Sequence, residues 1–168
     1  MQHDDEIALR PALQADADAV GTLAGDVFDR VAIDYWIERD FGEINATDWR
    51  TRKAAGVRAE VLANPSSVVV AEWGDRIVGF ITTHIDPLTS VGHIPNLGVA
   101  RDLQGRGLGK RLLQAGCDLL VSGGAKYLQI ETLDANETGQ VLYPRFGFRE
   151  VARKIYYFME ADQWRPLD

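Results

Sequence analysis

Three glycines at alternate positions, Gly105, Gly107 and Gly109, stand between an apolar strand-like run and an apolar helix-like run. That junction constrains the fold more than any other stretch. Before it, Gly92 to Ala100 reads as a strand. After it, Leu108, Leu112, Leu113, Cys117, Leu119 and Leu120 recur at helical steps as far as a Gly123-Gly124 stop. Tyr127 to Leu133 is strand-like again. A strand–helix–strand unit closes as a right-handed parallel crossover, and ligands in such sheets bind where the crossover helix begins. Glycine there lets the backbone turn tightly and approach a ligand with no Cβ in the way. The first N–H groups of the helix lack internal partners and, with the positive helix end, make an anion site suited to phosphate.

The flanking sequence adds elements on both sides. Ile7-Ala8-Leu9 reads as a short first strand, ended by Arg10-Pro11. Val20, Leu23, Ala24, Val27, Phe28 and Val31 form one buried helical stripe, with Asp16 or Asp18 as its cap. Residues 32–46 show no clean period, and a second helix is predicted from Thr47 to Ala63. Two β-rich runs about Gly74-Asp75, Ser67 to Trp73 and Arg76 to Asp86, predict a hairpin. Glu137 to Arg145 is read as a short helix. Arg149 to Glu160 holds no turn residue and is read as one long last strand. The order β-α-α-β-β-β-α-β-α-β describes a mixed α/β (α+β) domain around one central sheet, antiparallel in its first half. With 168 residues and no linker, the chain is expected to be one domain, 1–168.

The glycine junction fits two well-known phosphate loops badly. A dinucleotide fingerprint needs a glycine at position 110, which is Lys. A P-loop needs glycine at 104 and Ser or Thr at 111, which are Gln and Arg. A second motif follows the next strand: Asn136-Glu137-Thr138-Gly139-Gln140-Val141-Leu142-Tyr143-Pro144-Arg145-Phe146-Gly147-Phe148. The pair, Q-x-x-G-x-G opening a helix and N-x6-Y-x3-G-F after the next strand, resembles the GNAT superfamily of acyl-CoA-dependent N-acetyltransferases.

The resemblance, carried by residues 92–148, implies a GNAT-like fold whose central strands, 92–100 and 127–133, splay around the pantetheine arm of acetyl-CoA. Leu97, Gly98 and Val99 match the strand that this arm hydrogen-bonds, and Gly98 is expected to accommodate the bulge that opens the gap. Gln104, Gly105, Arg106, Gly107, Leu108, Gly109 and Lys110 match the loop that meets the pyrophosphate. Arg106, Lys110 or Arg111 would offset its charge. Asn136 matches the asparagine bound to the pantetheine arm and also suits capping of the 137–145 helix. Tyr143 matches the general acid that protonates the departing sulfur. A backbone N–H of the 97–99 stretch would support the oxyanion. Two residues match positions where members carry a base: Glu131, five before Asn136, and His93, eleven before Gln104.

The implied reaction moves an acetyl group from acetyl-CoA, the co-substrate, to a primary amine. The 30–46 stretch, with Tyr35, Trp36, Phe41, Asp34, Glu38, Asp40 and Glu43, suggests a small cationic amine or a peptide N-terminus as acceptor. The alternative is a domain that senses acyl-CoA without turnover. A net charge of −7 argues against nucleic acid as a partner. His3, His84 and His93 are scattered and no zinc spacing occurs, so no metal is expected. No apolar run nears the roughly 18 residues of a membrane span. Met1 to Glu6 lacks signal-peptide character, and a lone Cys117, within the helical stripe, fits a reducing, cytoplasmic setting. A monomer or homodimer is expected.

Overall fold

The computed structural model describes residues 7–166, so the Met1–Glu6 stretch lies outside the described residues. Five strands form one sheet in the order β1-β2-β3-β4-β5: β1 Ala8–Pro11, β2 Val68–Trp73, β3 Arg76–Ile85, β4 Val91–Val99 and β5 Tyr127–Ile130. The first four pair antiparallel and β4 pairs β5 in parallel. The hairpin turn at Gly74, with φ of +59°, sits where its Gly-Asp pair predicts.

Helices α1 (Ala17–Val27) and α3 (Trp49–Ala63) cover one face, and α4 (Leu108–Ser122) covers the other. Val20, Leu23 and Ala24 of α1 are buried, as the stripe requires, but the helix stops at Val27, so Phe28 and Val31, read as part of that stripe, lie past its end and are half-buried. Close approach of α1 to α3 depends on two glycines: a Cβ on Gly21 would lie 2.8 Å from the Ala54 carbonyl oxygen, and one on Gly25 3.1 Å from that of Arg50. Asp16 occupies the position before α1, yet its carboxylate accepts from Leu13 N–H and pairs with Arg10 instead of capping the helix. Asp48 does cap α3, accepting from Thr51 N–H at 3.0 Å.

The α/β class holds; the strand predicted over 127–133 stops at Ile130, where its pairing with β4 ends, and two further elements differ from the sequence reading. The unassigned 32–46 stretch contains helix α2 (Ile33–Phe41). Ile33, Trp36, Ile37 and Phe41 do fall on one face of it at helical steps, but the stripe is nine residues long, shorter than the window over which a period stands out, and none of its residues is fully buried. It is held by Trp36 Nε1 donating to Arg30 C=O, by Arg39 over the Trp36 ring and by Tyr35 edge-on to Trp49. The expected last strand is absent. Residues 149–160 pair with no strand, and Val151 and Tyr157 are 94% and 90% exposed. β-propensity expresses fit to a half-buried pleated surface, and this segment meets none. Phe158 alone of its aromatic rings packs on another, that of Phe41 at 4.9 Å. Helix α5 (Glu137–Arg145) forms as expected.

Candidate active site

Strands β4 and β5 separate part-way. Their parallel pairing runs from Val91 with Tyr127 to Ile94 with Ile130, where β5 stops while β4 continues to Val99. The first unpaired residue is Pro95, which has no N–H to offer a neighbour. Beyond it, backbone groups in β4 alternate between facing β3 and facing away. Ala100 N–H donates to Val78 C=O at 2.8 Å, toward β3. Leu97 and Val99 therefore direct their N–H and C=O groups into the gap, and Gln104 Nε2 meets Val99 C=O there at 3.0 Å.

At one end of this gap lies the glycine loop. Gly105 and Gly107 have φ of +76° and +83°, and a Cβ at either would meet nothing within 4 Å. Glycine serves the dihedral angle there, and the space before it is open. The first intrahelical bond of α4 runs from Arg111 N–H to Gly107 C=O, so the amides of Leu108, Gly109 and Lys110 lack helical acceptors. The Leu108 side chain is buried and pins the mouth to the core. Arg106 and Lys110 are exposed beside it. Arg111 instead donates to Ile7 C=O at 2.8 Å.

The other end is a cleft between two walls. Tyr143 and Asn136 of the α5 segment face Leu97 and Pro95 of β4, with Glu131 just past the end of β5. Tyr143 is half-buried, and burial pushes its hydroxyl above the ordinary tyrosine range, while Asn136 and Thr132 pull the other way. Asn136 Oδ1 accepts from Gly139 N–H at 3.0 Å and its Nδ2 donates to Thr132 Oγ1 at 2.8 Å, so it caps α5. Gly139 lets the tyrosine ring lie flat against the helix, since a Cβ there would come within 2.8 Å of that ring.

The chain that carries this arrangement has relatives in sequence and in fold. The sequence model of the acetyltransferase (GNAT) family matches residues 15–148. The chain belongs to the GNAT acetyltransferase family. It is 30% identical over 100 residues to N-alpha-acetyltransferase 30 of Schizosaccharomyces pombe, covering 58% of this chain and 67% of that protein. To a mycothiol acetyltransferase of Rhodococcus jostii it is 29% identical over 116 residues, 65% of this chain and 38% of the relative. The chain thus spans about two thirds of one relative and under half of the other. Among solved structures, a protein of Pyrococcus horikoshii is similar with a TM-score of 0.67 and 24% identity, covering 89% and 92% of the two chains. The PaiA N-acetyltransferase of Thermoplasma acidophilum, solved with coenzyme A, gives 0.66 at 14% identity over 86% and 90%.

Against the GNAT pattern, the structure gathers Leu97, Glu131, Asn136 and Tyr143 about one cleft and leaves His93 outside it. The His93 ring stacks on His84 across β3 and β4, with centroids 4.6 Å apart and planes 9° from parallel. Gly98 does not carry the bulge. Thr82 pairs with Asn96 and His84 with His93, so β4 holds its extra residue at Ile94-Pro95. Gly98 is needed for packing, since a Cβ would lie 2.6 Å from the Phe80 ring. Cys117 sits half-buried on α4 with its thiol pushed up by burial, as a core position implies. Sequence reasoning missed Lys53 of α3, which lines the cleft with Phe28 and Val31. Phe28 and Val31 carried an apolar signal; Lys53 carried none. Among the described residues no group of three or more His, Cys, Asp or Glu is placed to hold a metal, and no helix is long and apolar enough to cross a membrane.

Proposed function

We propose that this chain transfers the acetyl group of acetyl-CoA to a primary amine, by direct attack within a ternary complex. The observation that carries the reading is the unpaired edge of β4, with open backbone amides at a helix mouth on one side and a half-buried tyrosine on the other. In this reading the amides of Gly105 to Lys110 hold the diphosphate, with Arg106 and Lys110 nearby, and the gap-facing edge of Leu97 and Val99 aligns the pantetheine arm. Asn136 is assigned a second hydrogen bond to that arm in addition to its cap.

The chemistry then needs three things from the protein. The acceptor nitrogen must be neutral, the carbonyl oxygen needs a donor as it gains charge, and the leaving sulfur needs a proton. The amine attacks the thioester carbon, the C–S bond breaks, and the amine proton leaves through Glu131 directly or by one water. A gap-facing N–H of Leu97 or Val99 supports the oxyanion. Tyr143, protonated because burial resists its ionisation, supplies the proton to the thiolate. Of the two candidate bases, Glu131 borders the cleft, and His93 is engaged with His84.

The acids expected to attract a cationic acceptor are largely occupied. Arg52 pairs with Asp34 and Glu38 at 3.7 and 3.3 Å, and Arg39 with Asp40 at 2.7 Å. The acceptor is therefore proposed only as a primary amine at this level. Calorimetric titration with coenzyme A, followed by thiol release from acetyl-CoA over an amine panel, tests the proposal. Binding and release are expected together; binding with no release for any amine would overturn transfer, and no binding would overturn the site itself.

A further inference from the structure

Lys53 is the one cation that α3 sends into the cleft, and nothing in the acetyl-transfer scheme employs it. Its Nζ donates to Asn96 Oδ1 at 2.6 Å and lies 4.7 Å from the centre of the Phe28 ring. Asn96 is buried, and its own Nδ2 is turned the other way, donating to both Glu60 oxygens at 2.9 and 3.2 Å and to Thr82 Oγ1 at 2.9 Å. The amide thus stands between Lys53 and Glu60. Among the described residues no carboxylate lies within 4 Å of the lysine nitrogen, whereas Arg10, Arg52, Arg58, Arg76 and Arg101 each have one that close. Burial pulls its amine below the ordinary lysine range, with the more distant charges of Glu60 and Asp34 acting in the opposite sense. A half-buried ammonium with neutral neighbours gains most from an anion brought to it.

We infer that Lys53 forms a carboxylate subsite, so that the acceptor is a small amino carboxylate with its amine toward Glu131 and its carboxylate toward Lys53. The inference rests on the acetyl-transfer reading for the amine, and its own content is the second, anionic contact. The geometry is that of two opposed charges in one cleft: Lys53 enters from α3 beside Phe28 and Val31, and Glu131 from the end of β5. An acceptor carrying both charges matches each wall, whereas a polyamine would place a second cation beside the lysine. The Phe28 and Val31 surface offers an apolar wall for a stem between the charges, and among the described residues no buried side-chain polar atom is left without a partner.

The test compares amino acids with their carboxamides, which keep the amine and shape but lose the negative charge. Thiol release is measured from acetyl-CoA, and binding is measured separately by calorimetry in the presence of coenzyme A. The wild-type chain is expected to favour the carboxylate about tenfold or more in both readouts. In Lys53→Gln, which can still donate to Asn96, the carboxylate-to-amide ratio falls to near one; in Lys53→Arg it stays well above one. A carboxamide bound and acetylated as well as its acid overturns the subsite, as does a Lys53→Gln variant that weakens both acceptors equally. A carboxylate preference that appears only with succinyl-CoA as donor, and not with acetyl-CoA, assigns the anion to the acyl group and overturns the acceptor reading. Selective binding of the acid without thiol release would leave the subsite standing and overturn acetyl transfer instead. A peptide opening with Asp or Glu serves as a further arm: preference for it over the free amino acid overturns the small-acceptor assignment.

Discussion

The two ends of the β4–β5 gap are built from different materials. At the α4 end the surface proposed to hold the diphosphate is backbone: two glycines at positive φ, a helix start and the free amides that follow. At the cleft end it is side chains, drawn from α3, β4, the end of β5 and α5, together with the turn after α1. A backbone site needs only a local dihedral pattern, so seven consecutive residues specify it. A side-chain site needs five separate segments to meet, and its chemistry depends on how the whole sheet opens. The contrast predicts that the first end responds to backbone changes and the second to side-chain deletions.

The largest effect should come from the side-chain end. Tyr143→Phe keeps the ring that packs on Gly139 and edge-on to Phe148 at 6.4 Å, and removes only the hydroxyl. A loss in kcat of about 100-fold or more is expected, the scale of a general acid, with KM for acetyl-CoA little changed. Because burial raises its pKa, Tyr143 stays protonated through neutral and moderately alkaline pH. The wild-type kcat profile should therefore show no alkaline fall from this residue below pH ~10, the ordinary tyrosine value. Steady-state kinetics of both proteins across pH checks this, and equal kcat throughout would remove Tyr143 from the chemistry.

The next effect belongs to the backbone end. Gly107→Ala forces an L-residue into left-handed conformation, at a cost of about 1–2 kcal/mol. The affinity for coenzyme A should drop by roughly tenfold. Gly109 has ordinary helical φ, and its Cβ would sit 3.8 Å from Val99 Cγ2, so Gly109→Ala should raise Tm by about 2 °C through helix propensity. Calorimetry and thermal unfolding read the pair. If Gly107→Ala binds coenzyme A like wild type, the loop's dihedral pattern does not make the site.

The same contrast explains what the sequence disclosed. The strand, glycine turn and α4 were readable because each leaves a mark within a few residues: period, a glycine at a positive-φ position, a stop at Gly123. Asn136 and Tyr143 were readable because motif and spacing coincide on one helix. The bulge could not be placed, since it depends on how β3 and β4 pair, and Pro95 in a strand was the available clue. Helix α2 left a short apolar face, Ile33, Trp36, Ile37 and Phe41, and terminal marks, Asp34 in its first turn, Arg39 in its last and Gly42 after it at φ of +78°, all too brief to set a period. Lys53 left none, because a lysine on a helix reads as solvent-facing until Asn96 is brought opposite it from β4. Residues 149–160 have strand composition, and composition cannot say whether a partner strand is present.

Asn136→Ala sharpens the comparison at the point where capping and site overlap. It removes the acceptor of Gly139 N–H and the donor to Thr132. A cap of this type is worth about 1 kcal/mol, which for a chain of this length lowers Tm by about 2–4 °C. Were capping its only task, kcat/KM measured well below Tm would hold. A loss beyond fivefold there that lies in KM for acetyl-CoA, with kcat held, assigns it the additional contact with the pantetheine arm, whereas a loss in kcat assigns it to the Tyr143 hydroxyl.

The smallest effect is expected where a side chain assists the backbone end. Gln104 donates to Val99 C=O from an exposed position, a bond worth about 0.5 kcal/mol net. Gln104→Ala leaves Gly105, Gly107 and every amide of the mouth in place. Affinity for coenzyme A should fall by no more than about threefold, and Tm by about 1–2 °C. The direction of failure matters here. A loss as large as that of Gly107→Ala would mean that the loop is held by its side-chain tether to β4 and not by its glycine dihedrals. The two ends of the gap would then be built alike, and the difference in how well each is written in the sequence would need another cause.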